Sequence, residues 1–180
     1  IPILTLYLLP AGVKNLEHFS IIIDSLVELF DELCESEIIQ TNRVKISAFG
    51  KWYDLPGRVV EPLKGLLEFT KDYDDFFVNL CINYDGQEEI VDACKIVAMQ
   101  LKTEKIELDS INKATIKDNI YASDFLPPDL IIKNGLDQRL NGLLLWDSLK
   151  TTFYFTKKLW PEFGKSDFER AVEEFEKRKI

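Results

Sequence analysis

DLIIKNGLDQRLNGLLLWDSLKTTFYFTKKLWP, residues 129–161, is the stretch on which the reading of this chain turns. Pro127 and Pro128 lead into an apolar, strand-like run over 129–132, which ends in Lys133, Asn134 and Gly135, and Arg139 follows six residues after the lysine. In open α/β sheets, ligands bind beyond the carboxyl ends of strands. Arg139 offers a bidentate fork to phosphate oxygens and Lys133 a point charge. Asn141 adds an amide donor, and Gly135 lets a ligand approach the backbone closely. This set suits an anion such as a diphosphate. The competing reading is a solvated loop in which Lys133 and Arg139 pair with Asp129 or Asp137.

Outward from this stretch, strand and helix patterns alternate. Residues 3–9 (ILTLYLL) are apolar on both faces, the pattern of an interior parallel strand. Leu16, Phe19, Ile23, Leu26, Val27, Phe30 and Leu33 repeat at helical spacing within 15–35. Residues 43–49 and 75–82 read as further strands, and 56–69 as a helix entered through Pro56, although Pro62 interrupts any simple reading. Asp54 reads as the cap of that helix. Ile90, Ala93, Cys94, Val97 and Leu101 mark another helix, opened by Gln87, Glu88 and Glu89. Residues 102–121 suggest one short helix and loops, whereas 143–149 and 153–155 are apolar without a clear assignment. Ser166 and Glu169 have capping-box spacing before a stripe of Phe168, Val172 and Phe175. The alternation predicts an α/β fold, an open and mainly parallel sheet flanked by helices.

Composition narrows the function classes. The 180 residues, 46% apolar, suffice for a single domain over 1–180. A net charge of −9, from 22 basic and 31 acidic residues, argues against nucleic acid as a partner. Cys34, Cys81 and Cys94 are scattered in apolar settings, which points to buried thiols in a reducing, cytoplasmic compartment. With His18 the single histidine, a zinc site is not expected, and His18 itself reads as a surface or half-buried side chain. No run is long enough to cross a membrane. The chain opens on IPILTLYLL without a methionine, so residues ahead of Ile1 are expected. NYDGQEE (83–89) offers helix-start amides to an anion, although Asp85 opposes that and a plain Asp-Gly turn is the alternative. The scattered carboxylates permit Mg²⁺ without indicating it.

Four segments carry a family resemblance: PDLIIKNGLDQRLNGLLLW (128–146), YFTKKLWPEF (154–163), INYDGQEEI (82–90) and LTLYLLP (4–10). Together they resemble the cis-prenyltransferases, the undecaprenyl diphosphate synthase family. The resemblance implies about six mainly parallel strands, usually in a dimer. It also implies Mg²⁺-assisted addition of isopentenyl diphosphate to an allylic diphosphate, with the product in an apolar tunnel. The helix over 15–35 would line that tunnel through Phe19, Ile23 and Phe30, positions equally explained as ordinary core.

Residue by residue, the resemblance makes Arg139 the arginine that holds isopentenyl diphosphate, with Lys133 in place of a second arginine. Asn141 stands for a serine, Gly142 for an asparagine, Asp137 for a glutamate and Leu136 for a glycine. Asn83, Gly86 and Glu89 match the family pattern, Asn83 as a substrate-binding candidate. Asp85 replaces a glycine and Gln87 an arginine. Thr152 replaces the glutamate of the Mg²⁺ site, so no metal ligand is expected there. The M-D-G-N-R-R-W-A loop that holds the allylic diphosphate has no match in 1–180, and residues 10–16 replace an S-x-E-N segment. The expectation is a degenerate, weakly active or accessory subunit, as a homodimer or as a heterodimer with an active family member, with peripheral membrane association permitted. The alternatives are an active synthase whose first segment lies ahead of Ile1, and a non-enzymatic interaction protein on the same fold.

Overall fold

The computed structural model describes residues 1–13 and 17–178. Its elements alternate as the sequence predicts: β1 (Ile3–Pro10), α1 (Phe19–Glu35), α2 (Glu37–Thr41), β2 (Val44–Phe49), α3 (Gly57–Phe69), β3 (Phe76–Tyr84), α4 (Gly86–Lys102), α5 (Lys113–Lys117), β4 (Leu130–Asn134), β5 (Thr152–Thr156) and α6 (Lys165–Arg178). Every strand pair is parallel. This is an α/β fold with parallel sheet flanked by helices. The chain divides into two compact units, Ile1–Glu89 and Ile90–Ile180.

The first unit holds a three-stranded sheet in the order β1-β3-β2. Ile23, Leu26 and Phe30 of α1, spaced at three and four, are buried with Val59, Val60, Leu63 and Leu66 of α3. They share one core with Ile46 of β2 and Leu80 and Ile82 of β3. Ile23 and Phe30, expected to line a tunnel, have no exposed surface and belong to this core, with Phe19 partly buried at its margin. Leu16 of the expected helix lies outside the described residues. β3 is the interior strand, buried from Asn79 to Tyr84. β1, whose apolar pattern predicts an interior position, stands at the edge of this sheet, with Leu4 44% exposed.

Two local expectations are corrected here. Pro62 does not interrupt α3, which runs unbroken through it. One missing backbone bond costs about 3 kcal/mol, and burying four apolar side chains at about 1.5–3 kcal/mol each outweighs it. Asp54 does not cap α3, because the N-cap position falls on Pro56 and Asp54 ends a single 3₁₀ turn, Trp52–Asp54.

In the second unit β4 pairs with β5, from Leu130 beside Thr152 to Asn134 beside Thr156. The apolar 153–155 therefore lie in a strand, and 143–149 become turns that end in a 3₁₀ segment, Asp147–Lys150. The one short helix expected in 102–121 is α5, capped by Asn112, whose side chain accepts from Ala114 and Thr115. Helix α6 packs on both strands of this sheet. It begins one residue before Ser166, so the expected capping box does not form. Asp167 reaches back instead, its Oδ2 accepting from the Gly164 amide at 3.0 Å.

Candidate functional site

Two strand ends carry the residues that the sequence singles out, one in each unit. In the first unit, β3 runs into α4 through Asn83, Tyr84 and Asp85. Asn83 adopts a left-handed backbone (φ 48°), and its Nδ2 donates to the Lys51 carbonyl at 2.8 Å. The Lys51 amide donates in return to the Asn83 carbonyl at 3.1 Å. Gly50, at φ +103°, makes this approach sterically feasible: a Cβ there would lie 2.5 Å from the Ile82 carbonyl oxygen. Asn83 thus ties the loop after β2 to the end of β3.

The amides at the start of α4 already have an anion. Asp85 Oδ1 accepts from Gln87 N at 2.7 Å and Glu88 N at 3.1 Å. The plain Asp-Gly turn is the arrangement observed, since a capping carboxylate occupies the positive end of the helix. Lys51 pairs with Glu88 at 2.6 Å. Beneath the turn, the buried Tyr84 hydroxyl donates to the buried Glu89 carboxylate at 2.5 Å. Tyr7 donates to the Tyr84 carbonyl at 3.1 Å. Burial, followed by the charge of Asp85, pushes the Tyr7 phenol up to about 12.

In the second unit, β4 delivers Lys133 and Asn134 to its carboxyl end, and the Gly135 amide donates to the Lys158 carbonyl at 2.8 Å. The loop beyond winds tightly, with positive φ at Gly135, Asn141, Gly142 and Leu144. Asp137 sits at its centre. One carboxylate oxygen accepts from Arg139 Nε at 2.7 Å, the other from Asn141 Nδ2 at 3.2 Å. The Arg139 hydrogen bond holds the Asp137 carboxyl below its ordinary range, with help from Asn141 and from the charge of Lys133. Among the described residues, Lys133 Nζ makes only a long contact, 3.4 Å, to the Asn134 carbonyl. The Arg139 side chain is 80% exposed.

The structure therefore brings Lys133, Arg139 and Asn141 around one loop, and it also shows the Arg139–Asp137 pairing of the competing reading. The alternation Asp137, Arg139, Asn141 is the sequence signal that could have marked Asp137 as their common partner. Thr152 lies elsewhere. As the first residue of β5 it pairs with Leu130 at the amino end of β4. Lys133 pairs with Phe155, three residues further on, so about 10 Å of strand separates position 152 from the level of Lys133. The Thr152 amide donates to the Asp129 carbonyl at 3.0 Å. Among the described residues no three His, Cys, Asp or Glu side chains gather in a way that could hold a metal ion. The hydroxyl at 152 and its described neighbours do not fit a Mg²⁺ site.

A buried ion pair that the sequence did not reveal fixes the segment after this loop. Lys117 Nζ donates to Asp147 Oδ2 at 2.6 Å and to the Ala122 carbonyl at 2.8 Å.

Known proteins share this arrangement of strands and loops. Residues 1–180 match the undecaprenyl diphosphate synthase family of prenyltransferases over their whole length. The chain belongs to that family. It is 37% identical over 162 residues to a geranylgeranyl-diphosphate-specific tritrans,polycis-undecaprenyl-diphosphate synthase of Methanopyrus kandleri, covering 90% of this chain and 60% of the relative. An isoprenyl transferase of Thermotoga maritima is 35% identical over 163 residues, covering 90% and 68%. Among solved structures, lavandulyl diphosphate synthase from Lavandula x intermedia, in complex with dimethylallyl diphosphate, superposes with a TM-score of 0.86 at 26% identity, over 97% of this chain and 76% of that one. A "probable undecaprenyl diphosphate synthase" from Campylobacter jejuni gives 0.83 at 28%, over 98% and 80%. The chain spans about three-fifths of the length of the archaeal relative.

Proposed function

We propose that this cis-prenyltransferase-family chain serves polyprenyl diphosphate synthesis as a degenerate, weakly active or accessory subunit. It retains a weakened site for isopentenyl diphosphate at Arg139, Lys133 and Asn141. The observation that carries this reading is the loop after β4. Arg139 and Asn141 are gathered there with Lys133 nearby, while position 152 offers a hydroxyl at the opposite end of the strand pair. Charge for binding isopentenyl diphosphate is retained, and the metal-binding carboxylate that would assist departure of the allylic diphosphate is replaced. Losing a metal ligand costs far more rate than losing one binding contact.

In this reading residues 1–180 are one cis-prenyltransferase-like domain, and the first strand and the loop for the allylic diphosphate are supplied outside them. β1 supports this, being apolar on both faces yet paired on one edge alone. Asn83 takes part through the turn it holds. Mg²⁺ belongs to the reaction where an active site is complete. The subunit works as a homodimer or beside an active family member, in the cytoplasm and peripherally at the membrane that receives the product. Among the described residues no helix is long and apolar enough to cross a membrane.

A second reading, an active Mg²⁺-dependent synthase, is favoured by the 37% identity to a named synthase. Incubation of the full-length protein with labelled isopentenyl diphosphate, farnesyl diphosphate and Mg²⁺ separates the two. Robust product from the protein alone supports the second reading and sinks the first. Product that appears or rises only with an active relative from the same cell supports the accessory role. Absence of any diphosphate or prenyl binding leaves a non-enzymatic interaction protein on this fold.

A further inference from the structure

We infer that Asp137 is an internal competitor for the anion site after β4, a carboxylate that occupies the donors of Arg139 and Asn141 and must be displaced by an incoming diphosphate. This inference rests on the reading that the Arg139 loop receives a diphosphate.

Three observations carry it. Both donors converge on the same group, Arg139 Nε on one carboxylate oxygen and Asn141 Nδ2 on the other. Lys133 adds its field, being one of the charges that hold Asp137 ionised. Lys133, Arg139 and Asn141 are the side chains that the sequence offers an anion at this strand end, and the carboxylate accepts from two of them. Moreover, the contact is placed to be given up. The Arg139 side chain is 80% exposed and that of Asp137 39%. Ion pairs this open contribute little because solvent screens them. A buried carboxylate would lock the site; this one only taxes it.

Geometry also separates competition from support. A carboxylate that merely braced the arginine would leave the amide of Asn141 to the ligand. Asp137 instead takes a hydrogen from each donor, so a ligand that uses Nε and that amide hydrogen must push it aside. Once displaced, it remains two residues from Arg139 as a like charge to the ligand, which weakens binding further. Asp137→Asn removes the charge while keeping the shape, and an open pair of this kind corresponds to a gain in affinity of about threefold, within roughly two- to fivefold.

The test is isothermal titration of inorganic pyrophosphate into the full-length protein in magnesium-free buffer. Wild type, Asp137→Asn, Asp137→Ser, Arg139→Ala and the Asp137→Asn/Arg139→Ala double variant are compared, with circular dichroism to verify folding. Competition predicts that both substitutions at 137 lower the Kd at least twofold and that the gain vanishes when Arg139 is alanine. A smaller fall, no change or a rise in Kd overturns the inference while leaving the diphosphate site standing. So does a gain that persists without Arg139, because that would be a general charge effect. If neither wild type nor Asp137→Asn binds pyrophosphate, the site itself is refuted, and the inference falls with it.

Discussion

Lys117→Met tests the buried ion pair of the second unit. Lys117 and Asp147 lie thirty residues apart and meet at 2.6 Å, with Asp147's side chain 5% exposed and Lys117's 21%. Methionine keeps the apolar stem of lysine and removes the charge, which strands the Asp147 carboxylate and leaves the Ala122 carbonyl without this donor. Breaking a buried pair on one side costs about 3–5 kcal/mol. Because Lys117 keeps some contact with solvent, the lower end applies, about 3 kcal/mol. For a chain of this size that lowers the Tm by about 6–12 °C. Replacing both partners, Lys117→Met with Asp147→Leu, removes the stranded charge and should recover most of the loss, to within about 1 kcal/mol of wild type. Urea unfolding followed by tryptophan fluorescence suits the question, since Trp146 immediately precedes Asp147. A single-variant loss below about 1 kcal/mol, or a double variant as unstable as the sum of the singles, would refute the claim that these two charges depend on each other.

Three further outcomes are expected. Gly50→Ala should destabilise the first unit by more than about 2 kcal/mol, because a Cβ at φ +103° would strike the Ile82 carbonyl and the Tyr84 backbone; a thermal melt matching wild type would contradict the close approach. Asn79→Leu should be neutral or stabilising, within about 1 kcal/mol, because its buried Oδ1 has no partner and its Nδ2 makes only a 3.4 Å contact to Thr5; a loss above about 2 kcal/mol in urea would show the amide to be needed. Lys158 and the Gly164 amide hold the Asp167 carboxyl below its ordinary value of 3.8. Its contribution to docking α6 is therefore complete above that value and disappears as pH falls through the lower folded one. Acid titration of wild type against Asp167→Asn should show a stability gap that closes only below about pH 4, and a gap independent of pH would exclude the ion pair as its cause.

Much of the fold was legible because its signals are local. The apolar runs of β1 and β3 and the three-four spacing of α1 and α4 are period effects, visible wherever one face is buried. The misreadings have local causes too. Pro62 is a strong local breaker, overridden by the burial of Val59, Val60, Leu63 and Leu66. Ser166 and Glu169 had the right spacing for a cap, but the helix starts one residue earlier and Asp167 takes the role. The apolar 143–149 gave no period to read, since irregular backbone can be as buried as a strand. For the loop after β4, the residue types were legible at the end of an apolar strand, and so was Asp137 as one partner for its cations.

By itself, then, the sequence determined the α/β class, the family, and the identity of Lys133, Arg139, Asn141 and Thr152, because each is a matter of residue type and order. Tertiary structure alone decided which groups meet. It set Thr152 at the amino end of β5, away from Lys133, because parallel register fixes neighbours across strands and not along the chain. It paired Lys117 with Asp147 across thirty residues, a contact without local signature. It also filled both candidate anion positions with carboxylates of the chain itself, Asp85 at the start of α4 and Asp137 at Arg139. Hydrogen-bond geometry settles that occupancy: a donor is committed by the position of its acceptor, and position exists only once the chain has folded.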